Sequence, residues 1–183
     1  MLYYNGDEPG GQALAWFKLQ LKTIGMLWDA ELPEASLIII YSGIDALGWL
    51  AAPAVVPFAT QNTFKQWCEK YILTRLRSPD GGAITSDDLY GARCGILHTS
   101  TPLSKSEIKG IARQVFYQFN GKTGINLILN AQQLPIQIDI VSLGISFKEG
   151  GIAFLSDLKS DPLSLSAAND RAQHFLRWLT AVP

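Results

Sequence analysis

The chain contains little cysteine and little histidine, the residues that most often form cross-links and metal sites. Two of each occur among its 183 residues. Cys68 and Cys94 form no Cys-x-x-Cys pair and have no histidine at metal-ligand spacing, which excludes a disulfide framework and argues against a zinc centre. We expect a protein that needs no metal and no cofactor and works in a reducing, cytoplasmic setting.

Signatures of common nucleotide and hydrolase sites are absent as well. The sequence has no G-x-x-x-x-G-K-[ST] loop, no G-x-G-x-x-G turn after a strand and no G-x-S-x-G elbow. These absences argue against phosphate binding by a P-loop, Rossmann cofactor binding and α/β-hydrolase chemistry.

The chain has no overall excess of positive charge. The net charge is −1, whereas a general nucleic-acid binder usually has a basic surplus. The distribution is uneven, because residues 1–62 contain two lysines and six acids, while residues 63–122 contain nine Lys or Arg and five acids. A modest basic surplus therefore surrounds residues 85–100, although an ordinary solvated surface would show the same pattern.

One long apolar run, residues 37–54, requires a choice between a buried helix and a membrane span. It contains Ser42 and Asp45 and has a proline near each end, which favours a buried helix. The first residues lack the positive segment and apolar core of a signal peptide. We expect a soluble protein that does not enter a membrane.

Helical spacing of apolar residues dominates the first half of the chain. The pattern predicts core helices at about 12–100, with individual helices over 12–29, 33–52 and 63–76 and a further one from about residue 85. The run Ile38–Tyr41 has strand character, but a segment of about twenty residues without a turn favours a helix. The sequence predicts a single, mainly α domain over residues 1–183.

The second half changes character between residues 111 and 130. Ile111–Phe119 and Ile125–Leu129 are rich in β-formers, and Asn120–Gly124 between them predicts a hairpin turn. Ile136–Val141 is compatible with an edge strand or with the start of a helix after Pro135. C-terminal helices are predicted within about 140–180, over 145–158 and 165–179.

Arginine and histidine occur together on the helix that follows residue 85. Thr85 and Asp88 have the spacing of a capping box, which predicts the start of this helix. Arg93 and His98 lie five residues apart, and Tyr90 shares the histidine's face. A guanidinium keeps its charge, whereas an imidazole exchanges protons near neutral pH, so the pair is suited to phosphate chemistry.

Two polar residues lie on the otherwise apolar second helix. Ser42 and Asp45 are neighbours at i, i+3. A buried carboxylate needs a partner, because burial of an unpaired charge costs several kcal/mol. Asp45 either pairs structurally with Arg93 or caps a loop, or it orients Arg93 or His98 at a site.

This arrangement resembles the HEPN superfamily of helical domains, whose ribonuclease members have an R-x4-6-H signature. The resemblance covers about residues 30–100: Tyr41-Ser-Gly-Ile-Asp-Ala-Leu47, then Phe64-x-x-Trp67-x-x-x-Tyr71, then the Arg93-x4-His98 helix. It implies an antiparallel helical bundle, here with a small β-hairpin insertion in the C-terminal half. It also implies a homodimer and metal-independent RNA cleavage by Arg93 and His98, with Ser42, Asp45 and Tyr90 in supporting roles. An enzyme of this kind would be of a defence or toxin type and would have an antitoxin or another partner protein.

Two positions depart from the family pattern. Cys94 follows the arginine where many catalytic members have a polar residue, and Ser100 stands where some toxin members have a tyrosine. Three interpretations therefore stay open. The chain is a dimeric HEPN-like ribonuclease, a HEPN-like module that binds RNA, a nucleotide or a protein without catalysis, or an unrelated helical interaction domain in which Arg93 and His98 only pair with Asp45.

Overall fold

A computed structural model describes residues 11–99, 104–124 and 134–180, with backbone alone at residues 99, 123, 124 and 175–180. Within these ranges the chain is mainly helical, as the periodicity predicts. The elements are α1 Gly11–Asp29, α2 Pro33–Leu50, α3 Gln61–Trp67, a π-helical turn Cys68–Ile72, α4 Ser86–Thr99, α5 Lys105–Ile108, β1 Val115–Phe119, β2 Lys122–Gly124, β3 Ile136–Asp139, α6 Ile140–Ser160 and α7 Pro162–Thr180.

Helix α2 lies at the centre of the bundle and contacts α1, α3, α4, α6 and α7. Its side chains Ile40, Ile44 and Leu47 are completely buried, which explains the long apolar run in the sequence. The predicted choice of helix over strand for this run is confirmed. Close packing requires Gly48, where a Cβ would lie 2.8 Å from the carbonyl oxygen of Thr63 at α3.

The third predicted helix, 63–76, is interrupted. Helix α3 begins at Gln61 behind a Thr60–Thr63 capping box, and from Cys68 to Ile72 the chain forms a π-helical turn. No sequence pattern marks a π-turn, because it depends on the fit to a neighbouring element.

The strands form a three-stranded sheet in the order β2-β1-β3. Strands β1 and β2 are antiparallel, and they are joined by Asn120 and Gly121, both at positive φ, as a two-residue hairpin requires. Strand β3 pairs with β1 in parallel, and α6 begins directly after it. The run after Pro135 therefore forms the predicted edge strand first and then begins the predicted helix.

The predicted hairpin boundaries need correction. Strand β1 begins at Val115 and not at Ile111, because the amides of Ile111 and Ala112 donate to the carbonyl oxygen of Ser106 in α5 and the amide of Arg113 donates to Asp88. The short helix α5 was not expected. The predicted second strand, 125–129, lies outside the described residues, and the partner strand that is described starts earlier, at Lys122.

The start of α4 follows the predicted capping box. The Thr85 amide donates to Asp88 Oδ2 at 2.9 Å, and the Asp88 amide donates to Thr85 Oγ1 at 3.2 Å. Asp88 is 2% exposed and also accepts hydrogen bonds from Arg113, just before β1. These contacts fix the helix that presents Arg93 and His98. Of the helices described here, none is both long and apolar enough to cross a membrane.

A second buried carboxylate, Glu107, packs behind α4. Its Oε2 accepts the Ser104 amide at 2.7 Å, whereas Oε1 has no hydrogen bond among the described residues. A Cβ on Gly91 of α4 would lie 3.4 Å from this Oε1 and 2.8 Å from the Ala112 Cβ, so only glycine allows α4 to approach so closely. Burial raises the pKa of Glu107 from 4.5 to about 7.

The raised pKa predicts a loss of stability with rising pH. Between about pH 4.5 and 7 the folded protein retains a proton at Glu107 that the unfolded chain has released, so the free energy of unfolding falls across this window. The neutral Glu107→Gln variant keeps an acceptor for Ser104. We expect it to be more stable than the wild type by about 1–3 kcal/mol at pH 8 and equal to it at pH 4.5. Urea unfolding measures both values. The exposed Glu34→Gln change is the control, and equal stability at pH 8 would contradict the prediction.

Candidate phosphate-chemistry site

Asp45 of α2 and Arg93 of α4 form an ion pair where the two helices meet. Arg93 Nε donates to Asp45 Oδ2 at 2.7 Å, and Nη2 lies 2.6 Å from the same oxygen. Their side chains are 17% and 19% exposed, so most of the pair is shielded from water while one edge remains accessible. Asp45 therefore fixes one side of the guanidinium and leaves Nη1 directed away from it.

The remaining nitrogen of Arg93 reaches His98, which lies in the last turn of α4. Nη1 and His98 Nε2 are 3.0 Å apart, and the imidazole is exposed. A guanidinium has only donors, so Nε2 must act as the acceptor. The geometry therefore requires a neutral imidazole with its proton on Nδ1. Protonation of Nε2 would direct two N–H groups at each other and break this contact.

Burial and pairing have opposite effects on the two charges. Burial raises the pKa of the Asp45 carboxyl, although hydrogen bonding and the charge of Arg93 lower it. For Arg93, burial lowers the pKa, but the bond and charge of Asp45 outweigh this effect and the pKa is raised. Pairing decides the state of both groups, because a guanidinium does not lose its proton and Oδ2 accepts two of its N–H groups.

Tyr90 supports the arginine from one turn earlier in α4. Arg93 Cζ lies 5.9 Å from the centre of the Tyr90 ring, within the range of a cation–π contact. The ring meets the buried Phe64 edge to face at 5.6 Å, which holds it against α3. The arginine is thus restrained by Asp45 on one side and by an anchored aromatic ring on another.

A second cation lies close to the Tyr90 ring. Lys65 Nζ is 6.0 Å from the centre of the Tyr90 ring and forms an ion pair with Asp87. Sequence reasoning located the basic surplus but did not single out Lys65, because only the packing of α3 against α4 brings it near the Tyr90 ring. The charge of Asp87 offsets it, which makes the local surplus smaller than the sequence count indicates.

Two further residues considered in the sequence analysis, Ser42 and Cys94, contribute less to this cluster. Ser42 is exposed on α2, and its hydroxyl forms no hydrogen bond among the described residues. Cys94 Sγ lies 3.9 Å from Arg93 Nη1, as a weak acceptor. The structure therefore joins Asp45, Tyr90, Arg93 and His98 into one cluster and leaves Ser42 outside its hydrogen bonds. The residue corresponding to the family tyrosine, Ser100, lies outside the described residues.

Within the part of the chain that the structure describes, no group of three or more His, Cys, Asp or Glu side chains is placed to hold a metal ion. The chemistry available at the cluster is that of a permanent positive charge, a proton-accepting imidazole nitrogen and a fixed carboxylate. Comparison of the chain with models of protein families, with curated proteins and with solved structures gives no match.

Proposed function

We propose that the chain is a HEPN-like, metal-independent endoribonuclease that acts as a homodimer. The observation that carries this proposal is the contact of an anchored guanidinium with an exposed imidazole, 3.0 Å from Arg93 Nη1 to His98 Nε2. Phosphodiester cleavage by an adjacent 2′-hydroxyl needs a proton acceptor and a fixed donor for the phosphate oxygens, and these two groups supply both.

In the proposed reaction the bound phosphate takes the place of His98 at Arg93. A non-bridging phosphate oxygen accepts the Nη1 hydrogen, and this frees the Nε2 lone pair of the imidazole. His98 then removes the proton from the ribose 2′-hydroxyl, and the 2′-oxygen attacks phosphorus. The bond to the 5′-oxygen breaks and that oxygen takes up a proton, leaving a 2′,3′-cyclic phosphate and a 5′-hydroxyl.

A homodimer supplies the second proton-transfer group that this reaction requires. One neutral imidazole accepts the proton of the 2′-hydroxyl, and a protonated imidazole must deliver one to the leaving oxygen. The chain has only one further histidine, His174 on α7. Two His98 side chains facing each other across a two-fold axis would provide both roles, with two arginines along the phosphate.

Cleavage of single-stranded RNA in the presence of EDTA tests the proposal. We expect the purified dimer to cut a labelled RNA and to leave 2′,3′-cyclic phosphate and 5′-hydroxyl ends. The matched substrate with 2′-O-methyl groups at every position should stay intact, because it lacks the attacking hydroxyl. Cleavage of that substrate, or a requirement for a divalent metal, would contradict the mechanism. Light scattering on the same preparation measures the oligomeric state.

A non-catalytic HEPN-like module is the second candidate. It is favoured by one observation, that all three nitrogens of Arg93 already have partners in Asp45, Cys94 and His98. Such a module would bind RNA, a nucleotide or a protein at this surface without cutting. RNA that binds but stays intact with the dimer would favour it over the enzyme.

A further inference from the structure

Helix α5 is attached to the rest of the molecule by polar groups and by very little apolar surface. Glu107 is the one buried residue of this four-residue helix, and the N-cap Ser104 is buried beside it. On the outer face Lys105 and Lys109 are exposed, and Ile108 is 67% exposed. An element that buries so little apolar surface has a low local stability, because apolar burial is the main favourable term in folding. The state of Glu107 therefore weighs heavily on whether α5 stays in place.

The Glu107 carboxyl lies between α5 and α4, with one oxygen bonded and one without a partner. Oε2 accepts the Ser104 amide at 2.7 Å as part of a capping box, whereas Oε1 has no hydrogen bond among the described residues. The backbone of α4 covers it at Gly91, where a Cβ would lie 3.4 Å from Oε1. An ionised carboxylate would have a desolvated and unbonded oxygen here, which is far more costly than burial of the neutral acid.

The titratable groups that face Glu107 do not compensate a negative charge. Asp88 of α4 is itself an anion and acts to raise the pKa of Glu107 further. The hydroxyls of Tyr41 in α2 and Tyr117 in β1 are hydrogen-bonded to each other, and burial raises the pKa of both, so they stay neutral. Arg113 pairs with Asp88, and no ion pair joins a cation to Glu107 in the part of the chain that the structure describes.

We propose that α5 is a pH-sensitive latch on α4, which is closed while Glu107 keeps its proton and is released when the carboxyl ionises. Release brings the carboxylate into water and uncovers α4 at Gly91, on the helix that carries Arg93 and His98. The outer face of α5 is exposed in both states, so release costs little apolar burial. The latch does not depend on RNA cleavage, so either proposal can fail without the other.

The direction of the pH dependence follows from the proton balance. In the released state the Glu107 carboxyl has its ordinary pKa of 4.5, and in the closed state burial raises this pKa to about 7. Raising the pH across this window favours release, and above it both states are ionised, so the equilibrium becomes constant. Each pKa unit between the two states is worth a factor of about ten, so release should increase at least about tenfold from pH 5 to pH 7.5.

Hydrogen–deuterium exchange read by mass spectrometry tests the latch at pH 5, 7.5 and 8.5, with rates corrected for the intrinsic pH dependence of amide exchange. The reporters are the amides of residues 108–111, which all donate to backbone carbonyls within residues 104–107. Amides at the centre of α2 are the reference, because they exchange only when the whole chain unfolds. We expect the reporters to be less protected than the reference at every pH. Their protection should fall at least about tenfold from pH 5 to 7.5 and then stay nearly constant to pH 8.5.

Two variants on the same helix assign the effect. Glu107→Gln is neutral at every pH and keeps an acceptor for the Ser104 amide, so its reporters should show no fall in protection. Ile108→Ala changes only exposed apolar surface and should retain the wild-type fall. The wild-type profile tests the latch even if Glu107→Gln does not fold.

Three results would overturn the latch. The first is constant protection of the wild-type reporters across these pH values. The second is equal protection of the reporters and the α2 reference, which would mean that α5 opens only with the whole chain. The third is a fall in Glu107→Gln as large as in the wild type, which would assign the pH dependence to another group.

Discussion

Replacing His98 with alanine is expected to lower the rate constant of RNA cleavage by about 100-fold to 10,000-fold, the range that a general acid–base group contributes. In the proposed dimer the change removes the proton acceptor and the proton donor together. His98 is exposed and its described hydrogen bond is to Arg93, so the free energy of unfolding should change by no more than about 0.5 kcal/mol. Single-turnover kinetics with labelled RNA measure the rate, and urea unfolding measures the stability.

His174→Ala is the matched control for this substitution. His174 is exposed on α7 and no contact joins it to the Arg93 cluster in the described residues, so its loss should leave the rate unchanged. RNA affinity of the His98→Ala variant should stay within a few-fold of the wild type, because the arginine remains. Wild-type activity in the His98→Ala variant would remove the imidazole from the mechanism.

The arginine is best tested by Arg93→Lys, because this change keeps the positive charge. A lysine can still pair with Asp45, so the partly buried carboxylate is not left alone and the fold should hold. It cannot donate from several fixed nitrogens at once, and we expect the rate constant to fall by about 100-fold, as for loss of one oriented donor in a transition state. A wild-type rate would show that charge without orientation is sufficient.

Local sequence signals predicted the elements that present this cluster. The Thr85–Asp88 spacing located the first turn of α4, and the position of Asp45 on an apolar helix required a nearby partner. The first signal acts over a few residues, and the second follows from the cost of burying a charge. Both can be read from the sequence without knowing the fold. The sequence does not decide whether the role of Asp45 is structural or functional.

Contacts between distant segments were not predictable in the same way. Arg113 binds Asp88 from 25 residues away, and Lys65 approaches the Tyr90 ring only because α3 packs on α4. The π-helical turn depends on Gly150, nearly eighty residues later in the chain. Trp67 is buried with no hydrogen-bond acceptor for its indole N–H among the described residues, and this too is a property of packing.

Asp88→Ala is expected to destabilise the protein by about 3–5 kcal/mol, the loss typical of breaking a buried ion pair by removing one partner. The carboxylate accepts the Thr85 amide at 2.9 Å, the Arg113 amide at 2.8 Å and Arg113 Nη2 at 2.5 Å. Without it, the Thr85 and Arg113 amides lose their acceptor, and the Arg113 guanidinium loses its carboxylate partner and keeps only the carbonyl oxygen of Ala83. The isosteric Asp88→Asn variant keeps one oxygen and should lose less, about 1–3 kcal/mol. Urea unfolding at neutral pH measures both.

The pH dependence of the same carboxylate has the opposite sign to that of Glu107. Burial acts to raise the pKa of Asp88, but the hydrogen bonds from Arg113 and Thr85 outweigh it and the pKa is lowered. Its contribution is therefore fully present above about pH 4, near the pKa of the unfolded chain, and is lost as the pH falls through the folded pKa. The wild type should lose stability relative to Asp88→Asn in that acidic range.

The adjacent carboxylate separates this effect from a general loss of negative charge. Asp87 is 40% exposed and pairs with Lys65, so Asp87→Asn should cost no more than about 1 kcal/mol.

Combining Asp88→Ala with Arg113→Ala should cost less than the sum of the two single changes, because each removes the same contact. Additive losses would show that Asp88 stabilises the protein mainly as the cap of α4. A combined loss smaller than the sum would show that the bond between Asp88 and the Arg113 side chain, just before β1, holds the Arg93–His98 helix in place.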